Sequence, residues 1–304
     1  MKIKNAVLCG ILAACALLCG CSDNKTPSSD ASSAEDSGQL SESSTADDTE
    51  LITETPKEIE GFRGNTVDVQ PKSGDLIAEF DIEGFGTIKA VLFPEAAPLG
   101  VENFQKLCDS GFYKGLNIHR VIGDFMFQGG SLNGDGTGGE ALVNGGSFGI
   151  ETAQNARHFY GALCYANAGG MNTTQFYIIN NKKPQDISEN TLAGFRSNVE
   201  QGLALGREAE HDDEAAYYIS QAQYFQTILD WADNATDEIK ERYKENGGYF
   251  ALDGQYTVFG QVYEGFDVID SISAVETEDN GLGEKSKPVQ EIVINDITVS
   301  TFEG

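Results

Sequence analysis

Three histidines, six cysteines and two glycine-rich strings are the parts of this sequence that could carry bond chemistry. Gly134-Asp135-Gly136-Thr137-Gly138-Gly139 fits the G-x-G-x-x-G expression of a dinucleotide site. That expression works only between a strand and a helix whose N-terminus faces the pyrophosphate, and here more glycines follow instead of a helix. Gly145-Gly146-Ser147-Phe148-Gly149 fits the G-x-S-x-G of a serine nucleophile elbow, with His158 and His211 downstream as conceivable bases. The elbow belongs to chains of alternating strands and helices, and no such alternation surrounds it. His119, His158 and His211 are too scattered for a zinc set, and the acidic runs read as solvated faces rather than calcium loops. No metal and no cofactor are implied.

The elements that must position any site are legible around these strings. Leu76 to Glu83 and Thr87 to Phe93 alternate apolar and polar residues about Gly84-Phe85-Gly86, which predicts a hairpin. Glu95 to Ser110 carries Pro98 near its start, Val101, Phe104, Leu107 and Cys108 at helical spacing, and Gly111 just past its end, which predicts a helix. The dense glycines between Gly129 and Gly149 predict turns. Strand patterns resume at Gly161 to Ala166, Gln175 to Ile179, Tyr256 to Val262 and Gln290 to Val299. Between Pro184 and Gly248 the character is helical instead. Ala215, Tyr218, Ile219, Ala222, Phe225 and Leu229 make one face, and Thr236-Asp237-Glu238 starts a further helix that Gly247-Gly248 ends.

With 304 residues the chain can bury a large core, and its 35 glycines, 17 phenylalanines and 11 tyrosines disfavour an all-helical class. Its 48 acidic against 20 basic residues give a net charge of −28, whose averaged field repels a phosphate backbone. Nucleic acid is excluded as a partner on that ground. Met1-Lys2-Ile3-Lys4-Asn5 followed by an apolar run from Ala6 to Leu18 has the form of a signal peptide, too short to span a bilayer. It ends in Leu18-Cys19-Gly20-Cys21, which resembles a bacterial lipobox, with Cys21 as the acylated lipid anchor. Residues 1–21 are therefore read as a lipoprotein signal, and 22–72 as an acidic, Ser/Thr-rich disordered tether. The body is 73–304, interrupted by a helical insert at about 183–248. Only Cys108 and Cys164 remain in the body, in apolar settings that read as small buried hydrophobes.

One constellation is far more specific. Asn117 to Gly130, reading NIHRVIGDFMFQGG, then Gly136-Thr137-Gly138-Gly139-Glu140, resembles the signature of cyclophilin-type peptidyl-prolyl isomerases. Glu102-Asn103-Phe104, Gly161 to Gly169 with Thr173 to Tyr177, and Leu252 to Val262 match the same family in order, skipping only the insert. The resemblance implies a mainly β fold, a closed eight-stranded antiparallel barrel capped by helices at Glu95 to Ser110 and about Phe266 to Val275. It also implies an active site on the outside of that barrel.

By the same resemblance Arg120 is the guanidinium that assists rotation of the X-Pro amide, and Gln128 and Asn167 hold substrate backbone and carbonyl oxygen. Phe125, Met126, Tyr177 and Leu252 would form the proline pocket, with Tyr256 at its rim. Gly136, Ala166, Ala168 and Gln175 would line the adjoining groove. Read alone, Phe125, Met126 and Leu252 are core, Arg120 a surface ion-pair residue and Asn167 a turn residue beside Gly169-Gly170. The sequence departs from the family where Ala251 replaces a common tryptophan, Tyr256 a histidine and Tyr177 a phenylalanine. Isomerase activity on Pro-containing polypeptides outside the cytoplasm, at a bacterial membrane, is the expectation, with weak cyclosporin binding. The alternative is a catalytically feeble binding module or holdase for Pro-containing segments. Tyr217, Tyr218, Tyr224, Phe225 and Trp231 in the insert would either hold clients or pack the insert onto the body.

Overall fold

The computed structural model describes residues 51–304. Cys21, the signal run and the tether as far as residue 50 lie outside the described residues. From residue 51 onward the chain lies against the body, so packed chain begins before residue 73, where composition alone placed it. Asn65 explains how so polar a stretch is held: its Nδ2 donates to the Arg157 carbonyl at 2.6 Å and to Gln261 Oε1 at 3.0 Å, and its Oδ1 accepts from Arg157 N at 2.8 Å. Ile59, Phe62 and Val69 add apolar contacts, with the Phe62 ring 5.1 Å from that of Phe93.

The hairpin forms as its alternation dictates, β1 (Leu76–Ile82) pairing antiparallel with β2 (Gly86–Leu92) about a turn in which Gly84 has φ +76°. Helix α1 (Pro98–Asp109) follows and buries Val101, Phe104, Leu107 and Cys108. Its N-cap residue, Ala97, has no side-chain acceptor. Glu151 supplies one from a distant loop, accepting from Leu99 N at 3.0 Å and Gly100 N at 2.8 Å. The remaining elements are β3 (Ile118–Ile122), β4 (Met126–Gly129), β5 (Phe148–Gly149), β6 (Ala162–Ala168), β7 (Met171–Ile179), α2 (Glu189–Glu208), α3 (Asp212–Asp233), α4 (Asp237–Asn246), β8 (Val258–Glu264), α5 (Phe266–Ser273), β9 (Thr277–Asp279), β10 (Lys285–Pro288) and β11 (Ile294–Thr301).

The strands run in the order β11-β1-β2-β8-β6-β7-β4-β3, every pair antiparallel, with β5 added to β7. The sheet curls, but it does not close by a ladder. Its end strands β3 and β11 meet through one isolated bridge, Asn117 to Val293, flanked by Ile118 N to Ile292 O at 2.9 Å. The architecture is thus an open half-barrel, not the closed barrel implied by resemblance. The physical reason is that the chain joining β10 to β11 passes alongside β3 before regular pairing with β1 begins.

Period-two alternation sorts the side chains into two layers. Phe127, Leu163, Tyr165, Phe176 and Ile178 point inside, where they pack with Phe80, Phe104 and Phe259 under α1 and α5. Met126, Ala162, Cys164, Ala166, Tyr177 and Ile179 point to the opposite face and form a second apolar cluster. With the interior filled, a ligand can be met only on that outer face. Cys108 and Cys164 are both buried and not joined in a disulfide, and burial raises both thiol pKa values.

The insert holds three helices rather than the two that sequence pattern located. Gly194, Gly202 and Gly206 lie within α2, and two of them serve packing. A Cβ at Gly202 would stand 3.0 Å from Ala222 Cβ, and one at Gly206 would stand 3.0 Å from Ile219 Cγ1, so these glycines let α2 and α3 lie close. Helix α4 starts as expected, the Thr236 side chain accepting from Ile239 N at 3.2 Å, and ends at Gly247 with φ +76°. Phe225 and Trp231 are buried and Tyr224 is partly so, which leaves Tyr217 as the exposed ring of the five. Among the described residues no helix is long and apolar enough to cross a membrane.

Candidate active site

Strand register brings the polar site residues together. Arg120 on β3 pairs with Gln128 on β4, and Gln128 pairs with Tyr177 on β7, so all three share the outer face. Arg120 Nη1 donates to Gln128 Oε1 at 3.2 Å, Gln128 Nε2 to Gln175 Oε1 at 3.0 Å, and Gln175 Nε2 to the Gly136 carbonyl at 2.8 Å. Each carboxamide in this relay is oriented by the donor before it, which fixes which end is oxygen and which is NH2. Gly136 has φ +90°, and its N–H donates to Ser131 Oγ at 3.0 Å, so the glycine-dense loop is tied to the site by its backbone.

The apolar half lies one step along the same strands. Met126, Tyr177, Leu252 and Tyr256 are buried in the outer cluster with Ala166 and Phe125. The tight turn between β3 and β4 aims Phe125: Asp124 has φ +58°, and Asn180 clasps the turn, accepting from Phe125 N at 2.7 Å and donating to Ile122 O at 3.1 Å. Tyr249, which sequence reading did not single out, packs its ring 4.8 Å from that of Phe125.

The Tyr177 hydroxyl points away from substrate space. His158 Nε2 stands 2.9 Å from it, and His158 Nδ1 stands 2.9 Å from Asp253 Oδ1. Asp253 also accepts from Arg157 Nη1 at 3.0 Å and from the Tyr243 hydroxyl at 2.8 Å. Burial pushes the Asp253 carboxyl up, but the Arg157 charge and the bonds from His158 outweigh it and hold the group below the ordinary carboxylate range. The set is sealed from solvent, so His158 is a structural partner of the pocket floor and not a base for Ser147.

Asn167 is buried, its Nδ2 donating to Gln255 O at 3.0 Å and its Oδ1 accepting from Gly170 N at 3.2 Å. Its side chain thus braces the β6–β7 turn and the segment before β8, whereas Ala168 beside it is exposed. His119, next to Arg120, is driven down to about 4, by burial first and then by the Arg120 charge, against a weaker opposing pull from Asp135. Glu284 completes the polar set, its carboxylate bridging Arg120 Nε and Nη2. No local signal marks it, because it lies 164 residues away along the chain. Among the described residues no group of three or more His, Cys, Asp and Glu side chains is placed to hold a metal ion.

A curled antiparallel sheet carries a fixed guanidinium and two carboxamides beside an apolar cluster on its outer face. The family model for the cyclophilin type peptidyl-prolyl cis-trans isomerase matches residues 77–299, and the chain belongs to that family. A Staphylococcus haemolyticus protein named "Putative peptidyl-prolyl cis-trans isomerase" is 34% identical over 215 residues, 70% of this chain and 86% of its own length. One of the same name from Staphylococcus aureus USA300 is 33% identical over 215 residues, 70% and 87% respectively. A Cryptosporidium parvum cyclophilin type isomerase of known crystal structure is 21% identical, with a TM-score of 0.47, covering 75% of this chain and 99% of that one.

Proposed function

We propose that this chain accelerates rotation about X-Pro bonds in polypeptides outside the cytoplasm, with Arg120 donating toward the prolyl nitrogen as the amide twists. The uncatalysed barrier is about 18–20 kcal/mol because rotation breaks amide resonance. As conjugation is lost the nitrogen regains a lone pair, so a donor fixed at that nitrogen binds the twisted state better than the planar one. No bond to the protein is needed, and every tenfold gain requires about 1.4 kcal/mol. Gln128 and Asn167 would hold substrate backbone and carbonyl oxygen, and Phe125, Met126, Tyr177, Leu252 and Tyr256 would grip the ring. Gly136, Ala166, Ala168 and Gln175 would line the groove.

The observation that carries this reading is Arg120 buried and oriented on the same face as Met126, in a family whose name is the reaction. A coupled-protease assay of cis-to-trans exchange in an Ala-Pro peptide tests it. Acceleration by the wild-type chain that collapses in Arg120→Ala supports it, and absence of acceleration from a folded sample transfers the assignment to a Pro-segment binding module.

Two further parts of the proposal rest on the sequence. Lipidation of Cys21 would anchor the protein to a bacterial membrane; Cys21→Ser would then move it from the detergent to the aqueous phase on partitioning. Cyclosporin binding would be weak, because Ala251 precedes the Leu252-Asp253-Gly254 turn and the chain's one tryptophan, Trp231, is 1% exposed. A nanomolar affinity would contradict this.

A further inference from the structure

The guanidinium of Arg120 is held on three of its five N–H bonds by this chain itself. Nε donates to Glu284 Oε2 at 2.7 Å and Nη2 to Glu284 Oε1 at 2.9 Å, a side-on bidentate bridge, while Nη1 donates to Gln128. The two side chains are 7% and 14% exposed, so water competes little for these bonds. One N–H on Nη1 and one on Nη2 remain.

Glu284 is itself held. It sits at the tip of the β9–β10 hairpin, where Asn280 N donates to its carbonyl at 2.9 Å and Asn280 Oδ1 accepts from Leu282 N at 2.9 Å and Glu284 N at 3.3 Å. Gly281 and Gly283 take φ of +87° and +86°, which lets the tip fold back on these bonds. Strand β10 lies against β3, the strand that carries Arg120.

We infer that Glu284 is a positioning residue of the isomerase site, clamping Arg120 in one orientation with its remaining N–H groups available to the twisting amide. This rests on the reading of Arg120 given above. An arginine on an end strand has four rotatable side-chain bonds, and a bidentate partner removes that freedom before substrate arrives. Because Glu284 takes only Nε and one N–H of Nη2, it does not use up the donors of the guanidinium.

The test is peptide isomerisation by the full chain, with kcat and KM measured separately. Glu284→Ala should lower kcat about tenfold with KM changed less than about twofold, and Glu284→Gln, which keeps one acceptor and the same shape, should lie between it and wild type. Adding Glu284→Ala to Arg120→Ala should cost nothing more than Arg120→Ala alone. Unchanged kcat in both Glu284 variants, faster turnover in either, or a further loss in the double variant would overturn the inference. If Arg120→Ala itself leaves turnover intact, the reading of Arg120 fails instead, and the two failures are thereby distinguished. Circular dichroism and Trp231 emission verify folding, and the isosteric Gln variant decides the matter should the Ala variant not fold.

Discussion

Trp231 on α3 occupies the space that a side chain at Gly254 would need, the indole Nε1 being the atom nearest to where a Cβ there would stand. The insert is therefore built onto the Leu252-Asp253-Gly254 turn, whose first residue belongs to the apolar cluster of the site. Arg157 ties the junction further, its Cζ 4.8 Å from the Trp231 ring centroid and its Nη1 donating to Trp231 O at 3.1 Å. Phe225 and Trp231 are thus packed within the molecule, while Tyr217 stays exposed.

Replacing Trp231 by Ala should destabilise the protein by about 3–5 kcal/mol, the usual cost of emptying so large a buried site. A denaturant titration followed by circular dichroism measures it. A loss under about 1 kcal/mol would mean that the insert is not integral to the body.

Asp253→Asn should be similarly severe, about 3–5 kcal/mol, because it leaves the Arg157 charge buried without its counter-charge. Since the folded carboxyl titrates below its ordinary value of 3.8, its contribution is present above that pH and is lost as pH falls through the lower folded value. Stability of the wild type should therefore fall below about pH 4 more steeply than that of the Asn variant, as read from denaturant midpoints across pH.

His119 shifts in the same direction with a different window. Its folded pKa of about 4 against 6.5 means that the unfolded chain binds a proton the folded one refuses. Its contribution is full above pH 6.5, is lost between 6.5 and about 4, and changes no further below that. An NMR titration of the His119 imidazole should show its midpoint near pH 4; a midpoint above 6 would contradict the geometry.

Tyr177→Phe should reduce stability by about 1–3 kcal/mol while leaving kcat/KM for an Ala-Pro peptide close to wild type. The hydroxyl serves His158, and its removal leaves that ring nitrogen unpaired, yet the ring that faces the outer cluster is unchanged. A large kinetic effect would place the hydroxyl in the reaction.

Local pattern determined much of this protein. Alternation about Gly84-Phe85-Gly86 fixed the hairpin, Pro98 and Gly111 bounded α1, and Thr236 and Gly247 bounded α4, because each depends on neighbours within a few residues. The family was legible too, since Arg120, Phe125, Met126 and Gln128 lie within one short stretch whose spacing carries the signature. Chain order also told that a helical segment interrupts the sheet.

Only the tertiary structure decided what each side chain meets. Gly202 and Gly206 carry no local signal of the close approach that α3 makes to them. The stretch after residue 50 looks too polar to pack until Asn65 finds Arg157 and Gln261. Asn167 braces a turn, the Tyr177 hydroxyl faces His158, and the sheet stops at a half-barrel. Glu284 reaches Arg120 because two strands far apart in sequence run side by side, and no spacing rule records such a meeting. Local rules are set by bonds a few residues long, whereas these contacts depend on where the whole chain folds back upon itself.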